Sequence, residues 1–288
     1  MKVKNMVVVN LSGKIKKEDL TKIERDISFI QNKYSYIKIS SIKNTFSNSD
    51  SKFLAKALNK AITDDGIDLI MVAKGGVRSI ELINYLNMNI KLNNKKIIIG
   101  NSDFCHLAPY LNNISNLEVF VGLNLKSFSK LDEKSIEKFD YTILKRKPLN
   151  IKAEEIKINK KGRFSGELIP GNDIALLNII AANPKLISFK NKILALENHT
   201  EKDYRMIKYW LYQFKIRGIF KKINGLILGD FPLIEEEKET TLKNEIMDIC
   251  KEYNFPILKI QSFGEGNKKS PFKFEGISEY NGKDLKIS

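Results

Sequence analysis

Lys96-Ile97-Ile98-Ile99-Gly100-Asn101-Ser102-Asp103-Phe104 is the stretch on which the fold turns. Three consecutive isoleucines are apolar on both alternating faces, as in a strand covered on both sides. The run stops at a glycine, and the polar Asn-Ser-Asp leads into an amphipathic segment, Phe104–Leu111. The same grammar recurs on either side. Leu69–Ala73 ends at Lys74-Gly75-Gly76 before a helical Val77–Leu86, and Val7–Asn10 precedes Lys17–Asn32, where Ile23, Ile27 and Ile30 share one helical face. Tyr36–Ile39 precedes a helix at Ser51–Thr63, and Leu117–Val121 completes the set of strands. Strands alternating with helices predict an α/β fold with a mostly parallel sheet, and ligands then sit outside the carboxyl ends of the strands.

The pattern changes over residues 146–165, a basic stretch interrupted by Pro148, which reads as a linker between a first domain (1–145) and a second (166–288). The second half predicts a smaller α/β domain with a β-rich end. Helices are expected at Asn172–Ala181, Asp203–Arg217 and Leu242–Tyr253, and strands at Lys192–Glu197, Gly225–Phe231 and Pro256–Ile260. An Asn281-Gly282 turn closes a terminal hairpin. The acidic run Glu235–Glu237 reads as a solvated loop.

Across 288 residues, 42% are hydrophobic and 29% charged, enough apolar material for a core in each half and too much for a disordered chain. No stretch approaches the ~18 uninterrupted apolar residues of a membrane helix. The start, MKVKNMVVVNLSG, reads as a first strand and not a signal peptide, so a cytoplasmic protein with no membrane partner is expected. With two cysteines and two histidines, a disulfide scaffold and a paired-cysteine zinc site are excluded; no metal or organic cofactor is expected. Cys105 and His106 are neighbours that point to different faces of one helix. The net charge of +15 is nearly all lysine and spread over both halves, with six arginines in the chain. Base-reading and bidentate phosphate sites favour arginine, so nucleic acid is not expected as a partner.

Three strand ends carry candidate chemistry. Gly75 and Gly76 leave backbone N–H groups unobstructed beside a helix start, which suits an anion or an oxyanion, or is a plain tight turn. Ser102, behind a buried strand and before a helix, is placed as in a nucleophile elbow, or as an N-cap; Phe104 stands where the second glycine of G-x-S-x-G belongs. Glu197, closing the apolar run Leu194-Ala195-Leu196, either meets solvent at the sheet edge or polarises a group in a cleft.

Taken in order, SDSKFLAKALNKAITDDGIDLIMVAKGGVRSIELINYLN, IIIGNSDFCHL, GNDIALLNII, KILALEN and IRGIFKKINGLILGDF resemble the LD-carboxypeptidase family of serine peptidases. That family trims the terminal D-amino acid from murein tetrapeptides and includes relatives that inactivate the peptide–nucleotide antibiotic microcin C. The resemblance spans about Ser49 to Phe231, more loosely to Gly282. It implies a flavodoxin-like N-terminal domain, a smaller C-terminal α/β domain, a homodimer and a small peptide substrate. It also implies Ser102 as nucleophile, the Asp103 N–H and the Gly75-Gly76 turn as oxyanion hole, and Glu197 as the acid that orients a histidine.

The family histidine is missing. Its place in Ser262-Phe263-Gly264-Glu265-Gly266-Asn267 is held by Glu265, and neither His106 nor His199 matches it by motif. Lys74 replaces the usual arginine before the paired glycines, and the N-terminal Ala-Pro-Ser stretch is absent from VVVNLSG. A serine hydroxyl needs a base to attack. Three outcomes follow: Glu265 is the base, His199 swings in beside Glu197, or catalysis is lost and the cleft binds peptides only.

Overall fold

The computed structural model describes residues 3–198, 203–230, 235–264 and 266–288. The chain divides into two units, Met1–Lys147 and Pro148–Ser288.

In the first unit, strands β1 (Asn5–Val9), β2 (Lys38–Ser41), β3 (Leu69–Val72), β4 (Lys96–Gly100) and β5 (Leu117–Val121) are all parallel to their neighbours. They lie in the order β2-β1-β3-β4-β5, the flavodoxin-like order. Helices α1 (Lys17–Lys33), α2 (Asn44–Ser47), α3 (Ser51–Thr63), α4 (Ala108–Leu111) and α5 (Glu133–Phe139) connect or follow them. Ile97, Ile98 and Ile99 are fully buried, as the unbroken apolar run requires. Burying each stabilises the unit by roughly 1.5–3 kcal/mol. Lys96, at the start of the same strand, is also buried, and its Nζ donates to the carbonyls of Ala61, Ile62 and Asp64. A lysine is thus the C-terminal cap of α3, meeting the carbonyls that a helix end leaves unpaired.

Two helices expected from the sequence are 3-10 turns instead, Ser79–Tyr85 and Ser102–His106. For the second the reason is Pro109: it has no N–H to return to the carbonyl four residues back, so one helix over Phe104–Leu111 is not available and α4 restarts at Ala108.

The second unit has strands β6 (Leu149–Ile151), β7 (Ile156–Lys160), β8 (Phe164–Asn172), β9 (Ile193–Glu197), β10 (Gly225–Leu228) and β11 (Ile257–Ile260). A two-residue strand β12 (Phe272–Lys273), then β13 (Ile277–Tyr280) and β14 (Leu285–Ile287), complete the chain. Eight of these form a sheet in the order β6-β14-β13-β8-β9-β10-β11-β7. Its centre, β8 to β11, is parallel and its flanks are antiparallel. Helices α6 (Asp173–Ala182), α7 (Tyr204–Ile216) and α8 (Glu236–Ile249) accompany the parallel part. The expected hairpin is present: Tyr280 pairs with Leu285, and Oδ1 of Asn281 accepts the N–H groups of Lys283 and Asp284.

Three sequence expectations are corrected in this half. The stretch 146–165 is not a linker, because it contains β6, β7 and the start of β8, and the units meet at Lys147 and Pro148. Leu149 and Ile151 are buried on either side of an exposed Asn150, an alternation too short to stand out among lysines. The second unit is therefore hardly smaller than the first. The acidic run is not a loop: Glu235 is the N-cap of α8, where its negative charge complements the helix dipole.

Candidate active site

In the first unit the loops after β1, β3, β4 and β5 gather at the carboxyl ends of the strands. Ser102 follows β4 and is partly exposed. Its φ of 60° lies in the left-handed region, which non-glycine residues rarely adopt. Its side chain makes no N-cap bond, since the cap residue of the turn is Asn101, whose side chain makes none either. The strained strand-to-helix turn that exposes a hydroxyl is the elbow geometry. Phe104, in place of the second glycine, is buried with its ring folded back on Gly100: a Cβ added there would lie 2.4 Å from the ring.

Gly75 lies directly against the elbow. A Cβ at Gly75 would sit 3.0 Å from Cβ and 3.1 Å from Oγ of Ser102. The missing side chain is what lets the turn's backbone approach the hydroxyl. Gly76 packs in the same way on the loop after β1, where an added Cβ would meet Cβ of Ser12 at 2.4 Å. Asn10, fully buried, shapes that loop by donating to the carbonyls of Gly13 (2.5 Å) and Thr45 (2.9 Å). On the β5 side, the Asn101 N–H donates to Oδ1 of Asn124 (2.9 Å), whose Nδ2 returns to the Asn101 carbonyl (3.4 Å).

Asp103 is buried, and its carboxylate faces away from bulk water. Oδ2 accepts the N–H groups of Arg78 (2.9 Å) and Ser79 (2.8 Å). The Ser79 hydroxyl donates to the Asp103 carbonyl, and Nδ1 of His106 lies 2.9 Å from that carbonyl and 3.2 Å from Oδ1. Burial works to raise the Asp103 pKa, but hydrogen bonds from His106, the Ser79 N–H and Ser12 outweigh it and hold the carboxyl below its ordinary value. Cys105, next in the chain, is buried on another face, as neighbouring positions require. Behind the loops, Asp19 on α1 pairs with Lys74 (3.2 Å) and Lys126 (2.8 Å), which follow β3 and β5. Burial opposes the charge on Asp19, yet these two lysines bring its pKa to about 2.

In the second unit Glu197 closes β9 and is fully buried. Gly229, after β10, presses on it: an added Cβ would lie 3.0 Å from Cβ of Glu197 and 2.3 Å from the Phe263 carbonyl. Gly229 donates to the Leu196 carbonyl (2.7 Å) and Asp230 to that of Phe263 (2.8 Å). Beside it, Nδ2 of Asn198 donates to Oδ1 of Asp173 (2.7 Å). Nζ of Lys269, itself buried, donates to the Gly264 carbonyl (3.1 Å). Glu265 and His199, the two base candidates, lie outside the described residues.

The structure thus brings Ser102, Asp103, Gly75 and Gly76 together at one sheet end, and puts Glu197 at the end of a buried strand in the other unit. Sequence reasoning missed Ser12, Ser79, Asn124 and Asp19. Their one available signal is position, since three of them lie just past a strand or turn on the carboxyl side of the sheet. Among the described residues no three of His, Cys, Asp and Glu gather as a metal site needs, and no helix is long and apolar enough to cross a membrane.

Comparison with known proteins accounts for both halves. Residues 6–122 match the family model of the LD-carboxypeptidase N-terminal domain and residues 165–276 that of the LD-carboxypeptidase C-terminal domain. RC0549 of Rickettsia conorii, provisionally named a carboxypeptidase, is 22% identical over 77% of this chain and 70% of its own. Among solved structures, an MccF-like protein from Streptococcus pneumoniae in complex with AMP superposes with a TM-score of 0.86 at 21% identity, covering 100% of this chain and 99% of that one. The muramoyltetrapeptide carboxypeptidase of Oxalobacter formigenes gives 0.82 at 17% identity, covering 99% and 98%.

Proposed function

From the premise that this chain belongs to the LD-carboxypeptidase family, we propose that it is a serine peptidase that hydrolyses a terminal amide bond of a small peptide. Its substrate is a murein tetrapeptide or a peptidyl-nucleotide. The observation that carries this reading is Ser102: a left-handed residue at a strand end, its hydroxyl 3.1 Å from where a Cβ on Gly75 would stand.

Ser102 Oγ attacks the scissile carbonyl and forms a tetrahedral intermediate. The Asp103 N–H and the Gly75-Gly76 turn receive the oxyanion; its collapse breaks the amide C–N bond, the terminal residue leaves as an amine carrying the proton taken from Ser102, and water then hydrolyses the acyl-enzyme. The proton of Ser102 passes by way of Glu265, which stands at the family's histidine position in the sequence. A carboxylate base of this kind needs a raised pKa, which two neighbouring carboxylates impose on one another. The pH optimum then lies on the acidic side. The nucleotide branch of the substrate class is supported by the relatives, one bound to AMP and the MccF protein solved with aspartyl sulfamoyl adenosine. The protein works in the cytoplasm, as a homodimer, on peptides of peptidoglycan recycling.

The absent histidine favours a second reading, a catalytically inactive homologue that binds small peptides. Hydrolysis of a murein tetrapeptide by wild type and Ser102→Ala from pH 4 to pH 8 separates the two. Turnover that the mutant loses supports the peptidase. No turnover in either protein, with peptide affinity that survives Ser102→Ala, supports the binder. In the first case Glu265→His raises activity at neutral pH; a variant that stays unchanged there excludes Glu265 as the base.

A further inference from the structure

We infer that the Asp103 side chain, with Ser79 and His106, is the positioning device of the candidate active site, locking the Gly75-Gly76 turn and the Ser102 elbow into one piece. This rests on the reading of Ser102 as nucleophile. An oxyanion hole assembled from two loops works only if its donors keep their spacing to within ~0.5 Å. Here the two halves come from different strands, and beyond the glycines the turn is open to solvent: Gly76 is exposed and Val77 is 86% exposed.

Asp103 supplies the missing constraint. Its Oδ2 takes the N–H groups of Arg78 and Ser79, one residue beyond the turn. Its carbonyl is held in return by the Ser79 hydroxyl. Residue 79 therefore grips residue 103 through side chain and main chain together, so neither loop slides without breaking both bonds. His106 closes the arrangement from the far side, with Nδ1 within reach of the same carbonyl and of Oδ1. Ser12 adds a bond from the loop after β1. An ionised carboxylate suits this role because it accepts at both oxygens and its bonds are about twice as strong as neutral ones. None of these side chains contacts the reacting atoms; each acts through the peptide groups it holds.

The test pairs kinetics with amide exchange. Asp103→Asn keeps the shape but turns one acceptor into a donor, and Ser79→Ala removes the return bond. We expect kcat on the tetrapeptide to fall about 30-fold in Asp103→Asn and about 5-fold in Ser79→Ala, with KM within about twofold of wild type. Exchange at the Arg78 and Ser79 amides should accelerate about tenfold or more in Asp103→Asn. Asp103→Glu does not rescue, because the longer side chain misplaces the carboxylate. As a control, Asp132→Ala removes a carboxylate–amide tie of the same kind at the N-cap of α5, and should leave kcat and these two amides unchanged. The inference is overturned by a kcat within about twofold of wild type in Asp103→Asn, by an equal loss in Asp132→Ala, or by unaltered exchange. If wild type hydrolyses nothing, the nucleophile reading fails, and the exchange measurement alone still decides whether Asp103 holds the turn.

Discussion

The strand ends of the two units secure their key residues by different means. Around Ser102 the ties are mainly side chain to main chain: Asp103 to Arg78 and Ser79, Asn124 to Asn101, Asp26 to the N–H groups of Ser127 and Ser129. Around Glu197 they are mainly main chain to main chain, with Gly229 and Gly264 letting backbones close on one another. The difference suits the two roles proposed for Ser102 and Glu197. A nucleophile has to stay exposed while its surroundings are fixed, so fixation comes from polar struts beneath it. An orienting acid has to be dry, so it is walled in by close backbone approach.

That contrast can be broken in four places. The largest effect is Ser102→Ala, which should reduce tetrapeptide turnover by ~10⁴-fold or more while the fold persists; a mutant that retains activity in a stopped assay would remove Ser102 from the chemistry. Next is Gly229→Ala. The new methyl meets the Phe263 carbonyl and Glu197, and overpacking of this kind costs about 3 kcal/mol. A clear drop in thermal midpoint is expected, and an unchanged one would show that the wall around Glu197 yields.

Third is Asp19→Asn. The folded carboxyl titrates at about 2, below its ordinary value, so its contribution is fully present above about pH 5 and is lost as pH falls toward 2. At neutral pH the substitution should cost about 2 kcal/mol, and the stability difference from wild type should close in acid. Denaturant titrations at pH 7 and pH 3 check the sign; a difference that grows in acid would contradict it. The smallest effect is Asn124→Ala, which deletes one strut and should cost about 1 kcal/mol in the same titration.

Much of this architecture is legible in the chain. Ile97–Ile99 and Leu69–Val72 announce buried parallel strands, and the glycines after them announce turns at the functional edge. The elbow at Ser102 is readable too, because strand, glycine and serine are contiguous. The ties that fix it are not. Asp103 and Ser79 stand 24 positions apart, and no local period connects them. The strands β6 and β7 hid inside a basic stretch, since three to five residues give alternation too little length to register against lysines. The 3-10 turns hid because amphipathic spacing does not distinguish them from short α-helices, although Pro109 was there to be weighed.

The left-handed backbone at Ser102 also divides two demands that usually travel together. A side chain at φ 60° stores about 1 kcal/mol or more that glycine would not. Ser102→Gly should therefore melt above Ser102→Ala, both of them inert. A chain shaped for endurance alone would carry glycine at 102, and the hydroxyl group is held there against the grain of the polypeptide.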